Sequence, residues 1–200
     1  MQAKRGQVRE RIFRVLLNNK KLTKYRITKE AKANISWVIK TLRKLETEEI
    51  VYVTEVKDYE KLIRMWKNLR TKPDYREYMV RDPLKVIQKA DMKYALTTYS
   101  AENRVQKYLF PTRTDFYIIP DDMKKWHEIL SEKGLVGKGN VRVLMADEHV
   151  FYKSFEKDGM NVVSIPQLTV DLMAEGAAAA EAADMLIKKE KHNALSGLRN

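Results

Sequence analysis

The fold of the N-terminal part of this chain is decided by residues 34–54, NISWVIKTLRKLETEEIVYVT. Val38, Leu42 and Leu45 recur there at i, i+4 and i+7, which is the spacing of one face of an α-helix. The stretch therefore predicts a helix over residues 35–47 with one apolar face. The remaining positions of this helix are mostly cationic or carry hydroxyl groups, so its other face is expected to meet solvent or a polar partner.

The segments on either side of this helix also have patterns that predict secondary structure. Asn34 or Ser36 is suited to cap its first turn, because either side chain can accept a hydrogen bond from an exposed backbone N–H. Residues 50–54 are β-branched or aromatic and predict a strand. Upstream, apolar spacing predicts helices over residues 7–18 and 24–33. Three helices followed by a strand is the order of a winged helix-turn-helix domain, in which the third helix enters the DNA major groove.

The charge of the chain is concentrated in the same region. Residues 1–70 carry 19 Lys and Arg against 8 Asp and Glu, a balance of +11, whereas residues 71–200 carry 20 against 19. A basic surface gains affinity for a duplex because it neutralises a dense row of phosphates. Charge and helix order together predict a DNA-binding module that binds double-stranded DNA at a promoter or operator.

The predicted DNA-binding residues share cationic or hydrogen-bonding side chains, on the third helix or near the start of the second. They are Lys24, Arg26, Thr28, Asn34, Ser36, Trp37, Lys40, Thr41, Arg43 and Lys44. Lys and Arg can reach phosphates or guanine edges, while Ser and Thr can serve either base or backbone. Trp37 is equally suited to packing between helices. Two alternatives stay open at this point: a basic protein-docking module, or a cationic face that is simply solvated.

The amino-acid composition excludes several other classes of protein and of functional site. The chain has no Cys, so disulfides, thiolate metal sites and thiol nucleophiles are ruled out. No apolar run approaches the roughly 18 residues of a membrane span, and the N-terminus lacks the apolar core of a signal peptide. We expect a soluble, cytoplasmic protein with no membrane partner.

The domain organisation follows from the charge step and from one boundary at Thr71–Asp74. We predict an α+β chain with a winged helix-turn-helix over residues 1–57 and a linking helix and linker over 58–75. A small α/β domain with a short mixed sheet flanked by helices is predicted over 76–190, and a tail over 191–200. The pattern after residue 57 turns helical, over 58–69, so the wing is predicted to be short and to lack a second strand.

Within the second domain, apolar spacing and turn residues predict nine elements. The predicted helices cover residues 83–90, 99–109, 121–130, 167–175 and 177–189, and the predicted strands cover 113–119, 141–145, 150–152 and 161–163. Ser164 and Gln167 have the spacing of a capping box around Pro166. Gly176 is expected to end the helix that follows.

No active site is predicted from the sequence, nor any metal or cofactor. His127, His149 and His192 stand singly and match no metal-ligand spacing. Residues 147–149 (Asp-Glu-His) resemble an acid/base cluster but favour a solvated turn. The glycines at 134–139 lie between a predicted helix and strand, which is the wrong order for a phosphate-binding loop, so they are expected to end the helix and form a turn.

One resemblance to a known family is carried by two segments. Residues 163–172, Val-Ser-Ile-Pro-Gln-Leu-Thr-Val-Asp-Leu, are similar to the "valine-serine-x-x-glutamine-leucine-x-x-aspartate-leucine" helix of AbiEi-type antitoxins of type IV toxin–antitoxin systems. Residues 94–103, YALTTYSAEN, resemble the "alanine-leucine-threonine … serine-alanine" segment of the same family. Such proteins place a winged helix before this domain. The short wing and the extra helix at 58–69 depart from the family pattern.

The resemblance implies a transcriptional repressor of its own promoter. It also implies that residues 76–190 act on a nucleotidyltransferase-like toxin, and it suggests an archaeal or plasmid-borne member. An orphan regulator of plasmid, viral or archaeal genes is an alternative, and a homodimer is compatible with either. From another class, the carboxylates of Asp115, Asp147 and Glu148 leave open an enzyme acting on nucleic acid or nucleotides. A protein-interaction module is a third hypothesis.

Overall fold

In the computed structural model, which describes residues 5–195, the chain is a mixed α+β protein. It begins with three helices, α1 (Arg5–Leu17), α2 (Lys24–Glu30) and α3 (Ile35–Thr47). The helices predicted for these three regions are confirmed. The apolar faces predicted for α1 and α3 are buried, with Ile12 and Val38 fully inaccessible.

A short antiparallel hairpin follows α3, where the sequence predicted a single strand over residues 50–54. Strand β1 (Val51–Tyr52) pairs with strand β2 (Glu55–Val56). The expectation of a missing second strand is therefore wrong. The hairpin closes because Val53 adopts a positive φ of 59° and turns the chain after only two paired residues.

The helix predicted over 58–69 is confirmed as α4 (Tyr59–Leu69). Its N-terminus is capped by Asp58, whose carboxylate accepts the N–H of Lys61 at 2.9 Å. Its apolar stripe is buried, with Leu62, Ile63 and Trp66 all inaccessible to solvent.

The described chain divides into two compact units that do not follow the predicted domain limits. Unit 1 contains residues 5–71, 165–174 and 183–195, and unit 2 contains residues 72–164 and 175–182. Unit 1 thus takes in most of helix α8 (Ile165–Glu175) and part of helix α9 (Ala177–Leu195), which the sequence assigned to the second domain.

Unit 2 is built on a seven-stranded mixed sheet, in the order β6-β3-β7-β5-β4-β9-β8. Pairs β5/β7 and β4/β9 are parallel, and the other neighbours are antiparallel. The strands are β3 (Asp74–Val80), β4 (Ala95–Thr97), β5 (Thr114–Ile118), β6 (Gly134–Val136), β7 (Val141–Met145), β8 (Phe155–Lys157) and β9 (Met160–Val162). The helices are α5 (Pro83–Lys89), α6 (Thr98–Val105) and α7 (Met123–Glu132).

Two sequence predictions in unit 2 are wrong. Residues 150–152 were predicted as a strand, but Glu148–Phe151 form a 3₁₀ helix, because the Asp147 carboxylate accepts the N–H of His149 at 2.9 Å and caps a turn. The glycine-rich stretch predicted as a turn contains β6, whose Gly134 lies so close to the Met79 carbonyl that a Cβ there would collide with it.

The predicted capping box at Ser164 is also wrong. The Ser164 side chain does not make the capping bond, and the Gln167 side chain points elsewhere. Its carbonyl oxygen accepts two hydrogen bonds from Arg14, at 3.0 and 2.7 Å, and its amide donates to Asp171 at 3.0 Å. The helix stop at Gly176 is confirmed, with φ at 76°.

The predicted tail over 191–200 is helical for its first five residues, because α9 continues to Leu195. An ion pair between Lys191 and Glu60, at 2.6 Å, holds this extension within unit 1. The rest of the predicted tail lies outside the described residues.

Candidate nucleic-acid interface

Helix α3 is fixed in rotation by its cap and by its buried face. The Asn34 side-chain oxygen accepts the backbone N–H of Ser36 at 2.9 Å and its hydroxyl at 3.0 Å, which satisfies one of the exposed donors of the first turn. Val38, Leu42 and Leu45 are buried. The positions between them on the opposite side are therefore directed outward.

Four of the predicted residues form the exposed part of this outward face. They are Ser36, Lys40, Arg43 and Lys44, whereas Trp37 and Thr41 are half-buried. Lys44 lies 3.8 Å from the Glu48 carboxylate, a weak surface pair. Within the described chain no carboxylate pairs with Lys40 or Arg43. Those two cations are consequently available to an anionic ligand.

The centre of this face is a shallow, open depression. Ser36, Ile39, Lys40 and Arg43 line a shallow cavity of about 410 Å³. Ile39 was not among the predicted residues. Only its position in the sequence could have indicated a place on this face, because it lies three residues after Ser36 and four before Arg43. An apolar floor between hydroxyl and cationic groups suits a base edge that carries a methyl group.

Trp37 supports the face instead of forming it. Its ring is half-buried, and the Lys40 ammonium lies 5.8 Å from the ring centroid. That contact restrains the lysine stem over the aromatic face. Trp37 therefore acts as a platform that orients Lys40.

The predicted α2 residues are less available than those of α3. Arg26 is paired with Glu30 at 2.6 Å, and the Thr28 hydroxyl donates to the Lys24 carbonyl at 2.9 Å. The helix is capped by Thr23, which accepts the N–H of Arg26 at 3.1 Å. Lys24 remains exposed at the first position of the helix. Only Lys24 and, after exchange of its partner, Arg26 could serve a phosphate.

Two exposed tyrosines in the same unit were missed by sequence reasoning. Tyr25 is 65% exposed at the start of α2, and Lys29 lies over its ring at 5.0 Å. Tyr52 is 69% exposed in the hairpin, beside Val53. An exposed tyrosine is suited to a nucleic-acid interface, since it combines an apolar ring face with a hydroxyl that can hydrogen-bond to a phosphate.

A second concentration of charge lies in the interior of unit 2. Arg113 donates to both oxygens of Asp115, at 2.6 and 2.9 Å, and Arg142 donates to the same carboxylate at 2.8 Å. Both arginines also bind Glu175. Two cations and two anions balance one another, so the cluster leaves no net charge for a ligand.

The pKa of Glu175 is set by its two arginine partners. Burial by itself raises the pKa of Glu175, but the hydrogen bonds and charges of Arg142 and Arg113 outweigh it, so the pKa lies below its ordinary value. Asp115 is fully buried and also accepts the Thr98 hydroxyl at 2.5 Å. Thr98 adopts a positive φ of 47°, a strained conformation for a β-branched residue.

The candidate acid/base residues of the sequence are dispersed. Asp147 caps the 3₁₀ helix, Glu148 pairs with Lys93 at 3.1 Å, and His149 stacks on Tyr152. His127 hydrogen-bonds the Tyr78 hydroxyl at 2.9 Å. Among residues 5–195, no group of three or more His, Cys, Asp or Glu side chains is arranged to hold a metal ion. Over the same range, no helix is long and apolar enough to cross a membrane.

Comparison of the chain with models of protein families, with curated proteins and with solved structures finds no match.

Proposed function

We propose that this protein is a sequence-specific regulator that binds double-stranded DNA through α3. The observation that carries the proposal is the outward face of α3, where Lys40 and Arg43 are exposed and unpaired within the described chain around a cavity with an apolar floor. Lysine and arginine bind phosphates and guanine edges, and the apolar floor at Ile39 suits a thymine methyl.

The elements around α3 support the same proposal. Three helices followed by a two-stranded hairpin have the order of a winged helix-turn-helix, in which α3 would lie in the major groove and the hairpin beside it. The exposed Tyr52 in the hairpin would then be placed to touch the DNA backbone. Lys24 would add a phosphate contact from α2.

The resemblance to AbiEi-type antitoxins supports a narrower proposal, namely an autorepressor of the antitoxin type. A nucleotidyltransferase-like toxin would then be the protein partner of residues 76–190. The neighbouring gene tests this step, because such a toxin should be encoded beside the chain and should co-purify with it. A neighbour of another kind, with no co-purifying toxin, would leave an orphan regulator.

Charge reversal on α3 tests DNA binding directly. We expect Lys40→Glu with Arg43→Glu to abolish binding to duplexes selected from a random-sequence library, measured by fluorescence anisotropy. In the unmodified protein, affinity should fall by about a thousandfold or more between about 50 and 200 mM salt if about six phosphates are contacted.

The matched control is Lys124→Glu with Lys125→Glu, which makes the same change of net charge on exposed positions of α7 in unit 2. This variant should keep most of the affinity and specificity of the unmodified protein. Equal losses in both double variants would mean that binding follows overall charge only, and the assignment of α3 would be wrong.

In the described chain, the acids that suggested the alternative of an enzyme make structural contacts. Asp115 is buried and bound to two arginines, and Asp147 caps a turn. Incubation with DNA, RNA and nucleotides in the presence of Mg²⁺ or Mn²⁺ tests this alternative. Turnover that Asp115→Ala or Asp147→Ala removes would revive it.

A further inference from the structure

The outward side of α3 carries two rows of side chains that differ in chemistry. In each row the residues follow at i, i+3 and i+7, which places them on one stripe of the helix. The first row consists of Ser36, Ile39 and Arg43, and the second of Trp37, Lys40 and Lys44. The first row combines a hydroxyl, an apolar group and a guanidinium, whereas the second combines an aromatic ring with two ammonium groups. The two rows therefore suit different parts of a DNA duplex.

The second row is suited to the phosphate backbone. The Lys40 ammonium lies 5.8 Å from the centroid of the Trp37 ring, within the range of a cation–π contact. Trp37 and Ile39 are two residues apart, or about 200° around the helix axis, so this contact draws Lys40 to the flank opposite Ile39. Lys44 follows one turn later on the same flank. An ammonium is a compact point charge, which binds a phosphate without the planar geometry that a base edge requires.

The first row is suited to the edges of bases. Ile39 is the apolar residue of the shallow cavity, between Ser36 and Arg43. The apolar feature that the major groove presents is the C5-methyl group of thymine. The Arg43 guanidinium makes no hydrogen bond or ion pair with residues 5–195, and its planar set of donors matches the O6 and N7 acceptors of guanine. The Ser36 hydroxyl already donates to Asn34 at 3.0 Å, which leaves Ile39 and Arg43 as the stronger base contacts.

The distance between these two side chains limits which bases they can contact together. Ile39 and Arg43 are four residues apart, which is about 6 Å along the helix axis. Neighbouring base pairs are separated by about 3.4 Å along the duplex, so about 6 Å covers no more than about two base-pair steps. The two bases must therefore be close neighbours in the DNA sequence.

We propose that Ile39 contacts the methyl group of a thymine and Arg43 contacts a guanine within two base pairs of it, while Lys40 and Lys44 bind phosphates. This assignment rests on the DNA binding proposed for α3 and adds the bases that the helix recognises. Ile39 and Arg43 then determine sequence specificity, whereas the two lysines contribute affinity that does not depend on sequence.

Removal of single methyl groups from the DNA tests the role of Ile39. Duplexes are selected from a random-sequence library by the unmodified full chain, and each thymine is then replaced in turn by uracil, which lacks only the C5-methyl group. Fluorescence anisotropy at constant salt should show one thymine for each bound α3 whose replacement weakens binding by about fourfold, the effect of one buried methyl group. With Ile39→Ala, the same replacement should change affinity by less than about 1.5-fold, because its contact is already lost.

Ile35→Ala is the matched control for this variant. Ile35 is 43% exposed in the first turn of α3 and does not line the cavity. The control should keep the dependence of about fourfold on the thymine methyl group. A loss of this dependence in both variants would show that shortening any isoleucine of α3 has the same effect, and the assignment to Ile39 would be wrong.

Replacement of guanine by 7-deazaguanine, which lacks the N7 acceptor, tests the role of Arg43 in the same duplexes. One guanine within two base pairs of the methyl-sensitive thymine should be found, and its replacement should weaken binding by about tenfold. Arg43→Ala should remove this dependence and leave the dependence on the thymine methyl group in place.

Lys40→Ala should give a different result, because a phosphate contact carries no sequence information. Binding to selected and unselected duplexes should weaken by a similar factor, and the slope of log affinity against log salt should decrease by about one. The dependences on the thymine methyl group and on guanine N7 should both remain.

The results that would overturn the assignment are specific to each residue. Sequence-specific binding without a methyl-sensitive thymine, or a methyl dependence that survives Ile39→Ala, would overturn the role of Ile39. A sensitive thymine and guanine more than about two base pairs apart would overturn the spacing, and a base dependence lost in Lys40→Ala would overturn the division between the rows. The modified duplexes test the unmodified protein as well, so a poorly folded variant does not block the test. A chain that binds no duplex refutes the proposed function itself, so the two failures are distinguishable.

Discussion

At the scale of single residues, Asp115 in unit 2 has three side-chain partners. It is fully buried and accepts hydrogen bonds from Arg113, Arg142 and Thr98. The charges of such a cluster cancel only when all its members are present, because removing the acid leaves buried cations with too little counter-charge. The charge balance of the cluster therefore depends on this one side chain.

We predict that Asp115→Asn lowers the free energy of unfolding by about 3–5 kcal/mol, the usual effect of breaking a buried ion pair from one side. Urea denaturation followed by circular dichroism measures it. Asp74→Asn removes the same charge at an exposed position and should change the free energy by less than about 0.5 kcal/mol. Similar losses at both positions would contradict a special role for the cluster.

The lowered pKa of Glu175 makes the free energy of unfolding depend on pH. Its folded-state pKa is lowered from about 4.5, so the folded protein binds this proton less readily than the unfolded chain does. Its contribution is therefore complete above the unfolded pKa and is lost as pH falls through the folded pKa. We expect the free energy of unfolding to decrease below about pH 5 with a slope that Glu175→Gln reduces.

The measurement is a series of urea titrations between about pH 3 and pH 7 for both proteins, the window in which carboxylates titrate. A variant with the slope of the unmodified protein would show that Glu175 does not titrate differently on folding.

At the scale of elements, the hairpin β1–β2 contains a strained turn. Val53 has a positive φ and is 46% exposed, so a branched side chain occupies a conformation that favours glycine, with little burial in return. We predict that Val53→Gly raises the free energy of unfolding by about 1 kcal/mol, because relief of strain outweighs the greater freedom of the unfolded chain.

Thermal unfolding checks this prediction against Val136→Gly. Val136 is also exposed, but it lies in β6 and has no positive φ, so the same substitution should be destabilising by about 0.5–1 kcal/mol. Loss of stability in both variants would mean that the Val53 turn is not strained.

Among the elements, α3 could be predicted from the sequence and β3 could not. The buried face of α3 follows from the spacing of Val38, Leu42 and Leu45, because a local pattern decides which side of a helix is buried. Strand β3 has no such local pattern, because its first three residues are exposed and its residues become apolar only near Val80. It is defined by pairing with β6 and β7, which begin more than 50 residues later.

Long-range partners explain the remaining errors. Gln167 was expected to cap its own helix, and its spacing was suited to that bond. Its carbonyl instead accepts from Arg14, 153 residues earlier in the chain. The Arg14 guanidinium is buried and needs an acceptor, which the Gln167 carbonyl supplies. No local pattern in either segment indicates that pairing.

At the scale of the whole molecule, these partners determine which part of the chain can fold alone. Unit 1 is not continuous in sequence, since residues 165–174 and 183–195 belong to it. Arg14 and Arg70 find acceptors on that returning segment, in Gln167 and Asp171. Leu168 and Leu172 of the same segment are fully buried.

We predict that a fragment of residues 1–75, cut after the predicted linker, unfolds at a lower temperature than unit 1 does in the full chain. It lacks Gln167, Asp171 and the apolar side chains around them, so Arg14 loses a hydrogen-bond acceptor, Arg70 loses its counter-charge, and apolar surface becomes exposed. Circular dichroism melting of fragment and full chain measures the difference. Joining residues 165–195 to the fragment through a flexible linker should restore most of the lost stability, because it returns both acceptors.

A fragment as stable as the full chain would show that residues 1–75 are an independent domain and that the returning segment contributes little.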